Sequence, residues 1–541
     1  MNFNKNITAG LYVTGCLTAL LFLSACGDKT PASGQTGGAR GGMIIRGSIA
    51  DASYLNPILA SDSASGDINA LVFSGLVKYN KDLELVGELA ESFSVSEDNL
   101  KIIFNLCRGI KWHDGKEFTS SDVLFTYNTI ISTATRTPYA SSFDRVKRVT
   151  APGPYKIVVE YSEPYAPALE SWGMSIIPEH LYRGTDVNTN PHNRDPVGTG
   201  PYRFVRWHTD DRIVLEASED YFEGRPDIGR FIYKIIPDQS VQFMELRRGT
   251  IDWMSPTPDQ WVAETSDEEF QSEFNRYRYP SFGFTYMAFN LNNPLFKSRR
   301  VRRAVSYAID KELIIEAVLQ GLGTIATGPY PPVSWAYDSE INDYGYDPQK
   351  ALEILKKEGW EKDESSGILK KDGRKFSFTL MTNQGNQTRK LAVEIIQDQL
   401  KDIGIDVDVR VQEWSSFINQ YIDKRQFDAV LLGWSLSVDP DQYPLWHSSQ
   451  TGEGQYNFTG FKNKKVDNLL REGRRTFNVG RRKEIYKEIH RILHLEQPYI
   501  FLYFDDSKHV IHHRFRNIKP EKAGIAYNIT DWYVPENLRK Y

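Results

Sequence analysis

The sequence predicts an α/β fold, because strand patterns and helix patterns alternate along the chain. Residues 101–112 and 155–164 alternate apolar with polar side chains, as half-buried strands do. Residues 388–404 have the apolar spacing of a helix, and residues 404–414 return to the strand pattern. Residues 427–434, FDAVLLGW, are a continuous apolar run that is typical of a strand buried on both faces.

Capping residues predict where several helices begin and end. Thr119 and Asp122 have the spacing of a capping box, which predicts a helix over the following VLFTYNTII segment. Residues 298–321 carry apolar side chains at helical spacing and predict one helix that ends at its final Gly. Asp347 before a Pro predicts the start of another helix, which Gly359 ends.

The N-terminal residues have the pattern of a targeting segment rather than of a folded element. The apolar run Leu11 to Leu23 is shorter than the roughly 20 residues of a membrane-spanning helix. The motif Leu-Ser-Ala-Cys-Gly that follows resembles a bacterial lipobox, which implies a signal peptide over residues 1–25 and a lipid on Cys26. A plain signal peptide or a retained membrane anchor is the alternative. Residues 26–42 are rich in Gly, Ser and Thr and are predicted to be a flexible tether.

Composition limits the classes of protein to which the chain can belong. Its 541 residues are 40% hydrophobic, which is enough for one or more large cores. The net charge is −5 and the Lys and Arg residues are dispersed, so we do not expect nucleic acid as a partner. Aromatic residues make up 13% of the chain, and beyond those in the core they favour a ligand-binding surface.

Catalytic and cofactor motifs are missing from the sequence. It contains no G-x-S-x-G nucleophile motif, no H-E-x-x-H zinc motif and no G-x-x-x-x-G-K-[ST] phosphate loop. His490 and His494 are one helical turn apart, but the Glu of a zinc protease motif is missing, so we expect them to be solvated or to cap the helix. We therefore predict no enzyme activity, no cofactor and no metal.

The loop after the predicted strand 427–434 combines aromatic and acidic side chains. Trp434 and Trp446 suggest a ligand wall, whereas Asp439 and Asp441 suggest either general acid/base chemistry or a turn before a helix. In open α/β sheets ligands bind beyond the carboxyl ends of strands, so the position of this loop favours a ligand site. Because no nucleophile lies near the two Asp residues in sequence, we favour the aromatic wall.

Several long segments carry a family resemblance. Residues 53–128 contain Leu-Asn-Pro at 55–57, Gly-Leu at 75–76 and Trp-His-Asp-Gly at 112–115. The segments VGTGPYRF, YMAFNLNNPLFKSRRVRRAVSYAIDKELI, QEWSSF, YNFTGFKNKKVDNLL and YKEIHRILHLEQPYIFLY follow in that order. Together they resemble the family 5 extracellular solute-binding proteins, which are the dipeptide and oligopeptide receptors of ABC importers.

That resemblance implies a two-lobed periplasmic-binding-protein fold with an extra domain, whose lobes close over a ligand by a hinge. The implied division of the mature chain has three domains. Lobe I comprises 43–74, 195–279 and about 515–541; the extra domain comprises 75–194; and lobe II comprises 280–514.

The resemblance also identifies where the ends of a bound peptide are recognised. In dipeptide and oligopeptide receptors, an Asp three residues after the Trp of the matching loop pairs with the free amino group. That position is Ser437 here, or Leu436 by a second count, and Asp439 is the nearest acid. Strand 427–434 lacks the Arg of some relatives, and Tyr421 replaces an expected basic residue. A buried charged terminus without a partner is costly, so the expected ligand is a longer peptide held by main-chain hydrogen bonds.

The candidate ligand-binding residues come from the segments of this resemblance and from the loop. They are Ser53, Tyr54, Asn56, Asn290, Trp414, Tyr421, Trp434, Ser435, Leu436, Ser437, Asp439 and Trp446.

We predict a lipid-anchored, monomeric substrate-binding component of an ABC importer, in the periplasm or on the extracytoplasmic face of the cell membrane. It would capture oligopeptides and deliver them to the permease subunits. Alternative ligands for the same receptor role are an oligosaccharide, an opine-like conjugate, a nickel complex and haem. An alternative from another class is a secreted hydrolase that uses Asp439 and Asp441.

Overall fold

Strands and helices alternate through most of the chain in the computed structural model, which describes residues 40–540. The strands are β1 (Met43–Ser48), β2 (Val77–Tyr79), β3 (Leu85–Gly87), β4 (Ala90–Val95), β5 (Lys101–Leu106), β6 (Val146–Gly153), β7 (Lys156–Tyr161), β8 (Tyr202–His208), β9 (Arg212–Ala217), β10 (Arg230–Ile235), β11 (Trp253–Met254), β12 (Phe274–Pro280), β13 (Gly283–Phe289), β14 (Gly323–Ile325), β15 (Glu361–Lys362), β16 (Leu369–Lys371), β17 (Arg374–Lys375), β18 (Ser377–Asn383), β19 (Asp406–Gln412), β20 (Ala429–Ser435) and β21 (Tyr499–His512). The predicted α/β class is confirmed.

The helices lie between these strands and cover the sheets. They are α1 (Ser63–Val72), α2 (Ser120–Ile131), α3 (Ala168–Ser171), α4 (Glu179–Tyr182), α5 (Gln239–Arg247), α6 (Glu268–Glu273), α7 (Arg299–Tyr307), α8 (Lys311–Leu319), α9 (Pro348–Lys357), α10 (Gln387–Asp402), α11 (Trp414–Ser416), α12 (Tyr443–Trp446), α13 (Lys464–Arg475) and α14 (Val479–Glu496).

One long strand, β21, joins the two halves of the main sheet. Within residues 40–540 this sheet runs in the order β19-β18-β20-β13-β21-β11-β1-β10-β9-β8, and β12 and β14 also pair with β21. Residues 499–505 of β21 pair with β13 and β14, whereas residues 506–512 pair with β12 and β11. A separate antiparallel sheet, β4-β5-β7-β6, lies inside the range 75–194. The domain boundaries themselves stay a prediction.

Strand β20 is buried on both faces, as its apolar run predicts. Leu431 lies in one hydrophobic cluster with helices α7 to α10, and Val430 and Leu432 lie in a second, aromatic cluster on the opposite face. Successive side chains of a strand point to opposite faces, so β20 contributes to both cores. Its last residue, Ser435, pairs with Gly283 of β13.

Two predictions about helices differ in outcome. The capping box is confirmed, because the Thr119 side chain accepts from the backbone N–H of Ser121 and the Asp122 side chain accepts from the backbone N–H of Thr119. The single helix predicted over 298–321 is wrong, since α7 ends at Tyr307 and α8 begins at Lys311. Asp310 causes the break: its side chain accepts a hydrogen bond from the backbone N–H of Leu313 at 2.9 Å and caps a new helix.

His490 and His494 are buried rather than solvated, which corrects the prediction. They are 0% and 8% exposed, and their rings contact the hydroxyl and the carbonyl of Thr327 respectively. Burial lowers the pKa of His490 to about 3, so the ring is neutral at physiological pH. The two residues pack α14 against the loop after β14.

The predicted signal peptide, the lipid-bearing Cys26 and most of the tether lie outside the described residues. Within residues 40–540, each helix is too short or too polar to cross a membrane.

Candidate ligand-binding cleft

A cavity of about 990 Å³ lies where three parts of the chain meet. Residues 49–73 form one side, residues 75–175 form a second side, and residues of β18, β20 and the loops after them form the third. The volume is at the upper end of the range for small-molecule sites. The cavity lies beyond the carboxyl end of β20, where the sequence places a ligand site.

Aromatic side chains form a stack that begins in the core and ends at this cavity. Trp446 is fully buried, and its ring lies 4.6 Å from that of Tyr499, centroid to centroid. Tyr499 stacks on Tyr286 at 4.2 Å, and Tyr286 stacks on Trp434 at 6.2 Å. Trp434 is half-buried and lines the cavity. The two Trp residues of the predicted wall therefore occupy the two ends of one stack.

Trp414 lines the cavity and also links two distant parts of the chain. Its indole N–H donates to Oδ1 of Asp62 at 3.2 Å. Asp62 is the N-cap of α1 and accepts a backbone hydrogen bond from Ser65. A second link across the cleft joins the hydroxyls of Tyr139 and Tyr456 at 3.3 Å. These two contacts join opposite walls of the cleft.

Six of the twelve predicted residues line the cavity. They are Trp414, Trp434, Ser435, Leu436, Ser437 and Asp439. Ser437 is exposed and, within the described part of the chain, has no hydrogen-bond partner. Its peptide group and hydroxyl are therefore free to bond a ligand.

The other six do not line this cavity. They are Ser53, Tyr54, Asn56, Asn290, Tyr421 and Trp446. The Asn56 amide donates to Asn193 Oδ1 at 2.8 Å and is fully buried. The Asn290 amide donates to the carbonyl of Phe427 at 2.9 Å and supports the loop before β20.

The two acids of the loop are both paired with Arg. Asp439 receives two hydrogen bonds from the guanidinium of Arg482, at 2.9 and 2.8 Å. Asp441 accepts from Arg474 at 2.8 Å, and the two side chains are 8% and 3% exposed. Burial raises the pKa of Asp441, although Arg474 opposes that shift. Bidentate charge-assisted pairs of this kind fix the geometry of a loop.

An Arg that sequence reasoning missed lies in the opposite wall. Arg389, in the first turn of α10, lines the cavity and donates from Nη1 to Asn383 Oδ1 at 2.8 Å. No carboxylate within residues 40–540 forms an ion pair with it, and burial lowers its pKa. Gly433 leaves it room, since a Cβ there would lie 2.9 Å from Nη2. A sequence signal existed, because β18 runs parallel to β20 and both strands end at this edge.

A half-buried acid was missed as well. Glu170, on α3, lines the cavity and has the hydroxyl of Tyr79 as a hydrogen-bond partner. Burial, and next the charge of Asp439, raise the pKa of Glu170 to about 8. No sequence motif marks this residue, since it lies far along the chain from the loop that it faces.

Comparison with known proteins identifies the fold and the class of function. The family model for bacterial extracellular solute-binding proteins, family 5, middle part, matches residues 84–456. The chain belongs to this family. The protein is therefore a family 5 solute-binding protein, and the prediction that it is not an enzyme is supported. The alternative of a hydrolase that uses Asp439 and Asp441 is wrong.

Two relatives with stated ligands are similar over nearly the whole chain. The oligopeptide-binding protein AppA of Bacillus subtilis is 34% identical over 547 residues, which cover 97% of this chain and 99% of AppA. The AppA structure in complex with a nonapeptide covers 92% of this chain and 100% of the AppA chain, with a TM-score of 0.87 and 32% identity. The ABC transporter-associated periplasmic binding protein DppA from Helicobacter pylori, in complex with the peptide STSA, has a TM-score of 0.83 at 25% identity, over 92% of this chain and 99% of that chain.

A relative with a different ligand has almost the same fold. NikZ from Campylobacter jejuni, in complex with Ni(L-His), has a TM-score of 0.81 at 28% identity, over 91% of this chain and 99% of NikZ. These similarities confirm the two-lobed α/β fold that the sequence resemblance implied. The shared fold does not choose between peptide and metal complex, so the residues of the cleft must do so.

Proposed function

We propose that this family 5 protein captures oligopeptides in the cleft and delivers them to the permease of an ABC importer. The observation that carries the proposal is a large cavity whose wall offers aromatic surface, a free peptide group and charges without partners, in a chain similar to AppA over 97% of its length. Each of these features matches a part of a peptide.

The main chain of a peptide needs hydrogen-bond partners that do not depend on its sequence. Beyond Ser435 the chain leaves the sheet, and Ser437 then has no partner within the described residues. An extended ligand can pair with such a segment in the manner of strand addition, and pockets beside it receive alternate side chains. Trp414 and Trp434 supply apolar surface next to that segment.

The carboxyl group of a peptide needs a cation, and Arg389 is placed to supply one. Its half-buried guanidinium lines the cavity, and a cation withdrawn from water without a counter-charge is costly. A ligand carboxylate would remove that cost and form charge-assisted hydrogen bonds. A neutral oligosaccharide would not, so Arg389 favours a ligand that bears a carboxylate.

The identity of the ligand can be tested directly. The protein without residues 1–25 is purified under mild conditions, and native mass spectrometry determines the masses of whatever it retains. Peptide masses support the proposal, whereas sugar increments, haem or a nickel chelate would replace it with the corresponding alternative. Thermal shift with a peptide library then measures binding, since a ligand at 100 times its Kd stabilises the fold by about 2.7 kcal/mol.

We propose further that the protein is anchored by a lipid on Cys26, after removal of residues 1–25, with residues 26–42 as the tether. The lipobox-like sequence supports the proposal. An anchor of this kind keeps a receptor close to its transporter and raises the effective concentration. Metabolic labelling with a fatty acid analogue should mark the wild-type protein and leave Cys26→Ala unlabelled; equal labelling of both would refute it.

A further inference from the structure

The loop after β20 has no carboxylate that is free to receive a cation from the ligand. Both oxygens of Asp439 are occupied by Arg482, in a pair whose side chains are 17% and 8% exposed. Asp441 accepts from Arg474 through Oδ2 at 2.8 Å and from the backbone N–H of Tyr443 through Oδ1 at 3.3 Å. An amino group that approached either acid would have to compete with a guanidinium already in place, which makes both acids poor receivers.

Glu170 faces this loop from the other side of the cleft and has no such partner. It forms no ion pair with Lys, Arg or His within residues 40–540, and its hydrogen-bond partner is the neutral hydroxyl of Tyr79. The charges around it do not balance, because three acids (Glu170, Asp439 and Asp441) face two bases (Arg474 and Arg482). Glu170 is therefore the acid of this group that has no base to compensate its charge, and its raised pKa keeps it protonated until a cation is bound.

The surroundings of Glu170 suit a primary ammonium group. Tyr79, whose hydroxyl is the hydrogen-bond partner of Glu170, and Tyr165 also line the cavity, and aromatic faces attract cations. Lys78 also lines the cavity, but its ammonium group is paired with Glu223 at 2.5 Å. It therefore does not act as the counter-ion of Glu170. The pKa of Glu170 is raised to about 8, as expected for a carboxyl that is withdrawn from water and lacks a cation.

We propose that Glu170 receives a primary ammonium group of the ligand and thereby makes the protein selective for peptides that carry one. This inference rests on the proposed peptide-binding function and adds to it a preference for peptides that carry an ammonium group. The ammonium is either the free amino terminus of the peptide or a Lys side chain, and the two have the same chemistry at this carboxyl. Arg389 lies on another wall of the cavity and could bind the carboxyl end of the same ligand.

The test uses randomised hexapeptide libraries and four versions of the protein. The libraries have free or acetylated amino termini, each with and without Lys. The proteins are wild type, Glu170→Gln and two controls, Glu88→Gln and Asp423→Asn, each of which removes another carboxyl that lines the cavity. Binding is measured by native mass spectrometry and by titration calorimetry with the peptides that wild type retains. Melting temperatures establish that each variant is folded.

Wild type should prefer peptides with an ammonium by about 10- to 100-fold, the range of a charge-assisted hydrogen bond. Glu170→Gln should abolish that preference, and both controls should keep it. Preference within the Lys-free libraries assigns the group to the amino terminus; preference that persists after acetylation in the Lys-containing library assigns it to a side chain.

Two results would overturn the inference in different ways. If wild type binds the libraries but Glu170→Gln keeps the full preference, or Asp423→Asn loses it instead, Glu170 is not the receiver and peptide binding stands. If wild type binds no peptide from any library, the proposed function fails and the inference falls with it.

Discussion

Trp434 and Trp446 lie at opposite ends of one aromatic stack, so replacing each by Ala distinguishes a ligand wall from a core. Trp446 is 0% exposed, and its indole N–H donates to Gln442 at 2.7 Å. Truncation of a buried Trp costs about 3–5 kcal/mol, and the unpaired Gln442 adds about 1–3 kcal/mol. Trp446→Ala should therefore lower the free energy of unfolding by at least about 4 kcal/mol.

Trp434→Ala should behave differently, because its ring is half-buried and borders the cavity. Its loss removes fewer core contacts and a single hydrogen bond, to the hydroxyl of Tyr499 at 3.3 Å. The apo protein should lose roughly 1–2 kcal/mol. If the ring contributes a tenfold factor to affinity, a ligand at 100 times the wild-type Kd stabilises the variant by about 1.4 kcal/mol instead of about 2.7 kcal/mol.

Differential scanning calorimetry with and without the retained ligand measures the stability of the apo protein and the ligand-induced stabilisation for each variant. Because a protein of this size unfolds in more than one step, the comparison is made on melting temperatures under identical conditions. Tyr346→Ala is the control, since this aromatic side chain is 47% exposed and does not line the cavity. The hypothesis that Trp434 contacts the ligand would be refuted if the two substitutions destabilised the apo protein equally. It would also be refuted if the ligand stabilised Trp434→Ala as much as wild type.

Three further predictions concern the charges of the cleft. Arg389→Gln should weaken binding of peptides with a free carboxyl end by about 10- to 100-fold and leave the amidated peptides unaffected, as measured by calorimetry; equal loss for both would rule out a carboxylate contact. Asp439→Asn should destabilise the apo protein by about 3–5 kcal/mol, because it leaves Arg482 buried without its partner, and denaturant unfolding checks this against the exposed Asp408→Asn. The folded-state pKa of Glu170 lies above its ordinary value, so the native chain holds a proton that the unfolded chain releases. The stability of apo wild type should therefore fall as the pH rises from about 4.5 to 8, by at most about 5 kcal/mol from this group. Glu170→Gln should lack that part of the decline in melting temperature, and a parallel pH profile in both proteins would contradict it.

Local patterns predicted most of the elements around the cleft. The apolar run of β20, the helix α10 and the strand β19 have the bounds that periodicity suggests to within a few residues. The prediction failed at Asp310, where a side-chain cap divides one apolar pattern into two helices. Helical spacing alone does not reveal such a break, because the apolar side chains on both sides of it still face the same core.

The sequence predicted part of the candidate site. The rule that ligands bind beyond the carboxyl ends of strands located the loop with Trp434 and Ser437, and both residues line the cavity. The same rule applied to β18 would have located Arg389. Glu170 lies on α3, far along the chain from this loop, and no local pattern predicts that the two lie close together.

The amino-acid sequence by itself determined the α/β class, the family and the loop that lines the cavity, because these depend on side-chain periodicity and on the order of motifs along the chain. The tertiary structure decided which charges in that loop are available. Arg474 and Arg482 reach Asp441 and Asp439 from two later helices. Whether an acid is free to bind a ligand depends on its neighbours in space, and those neighbours are set by how distant segments pack.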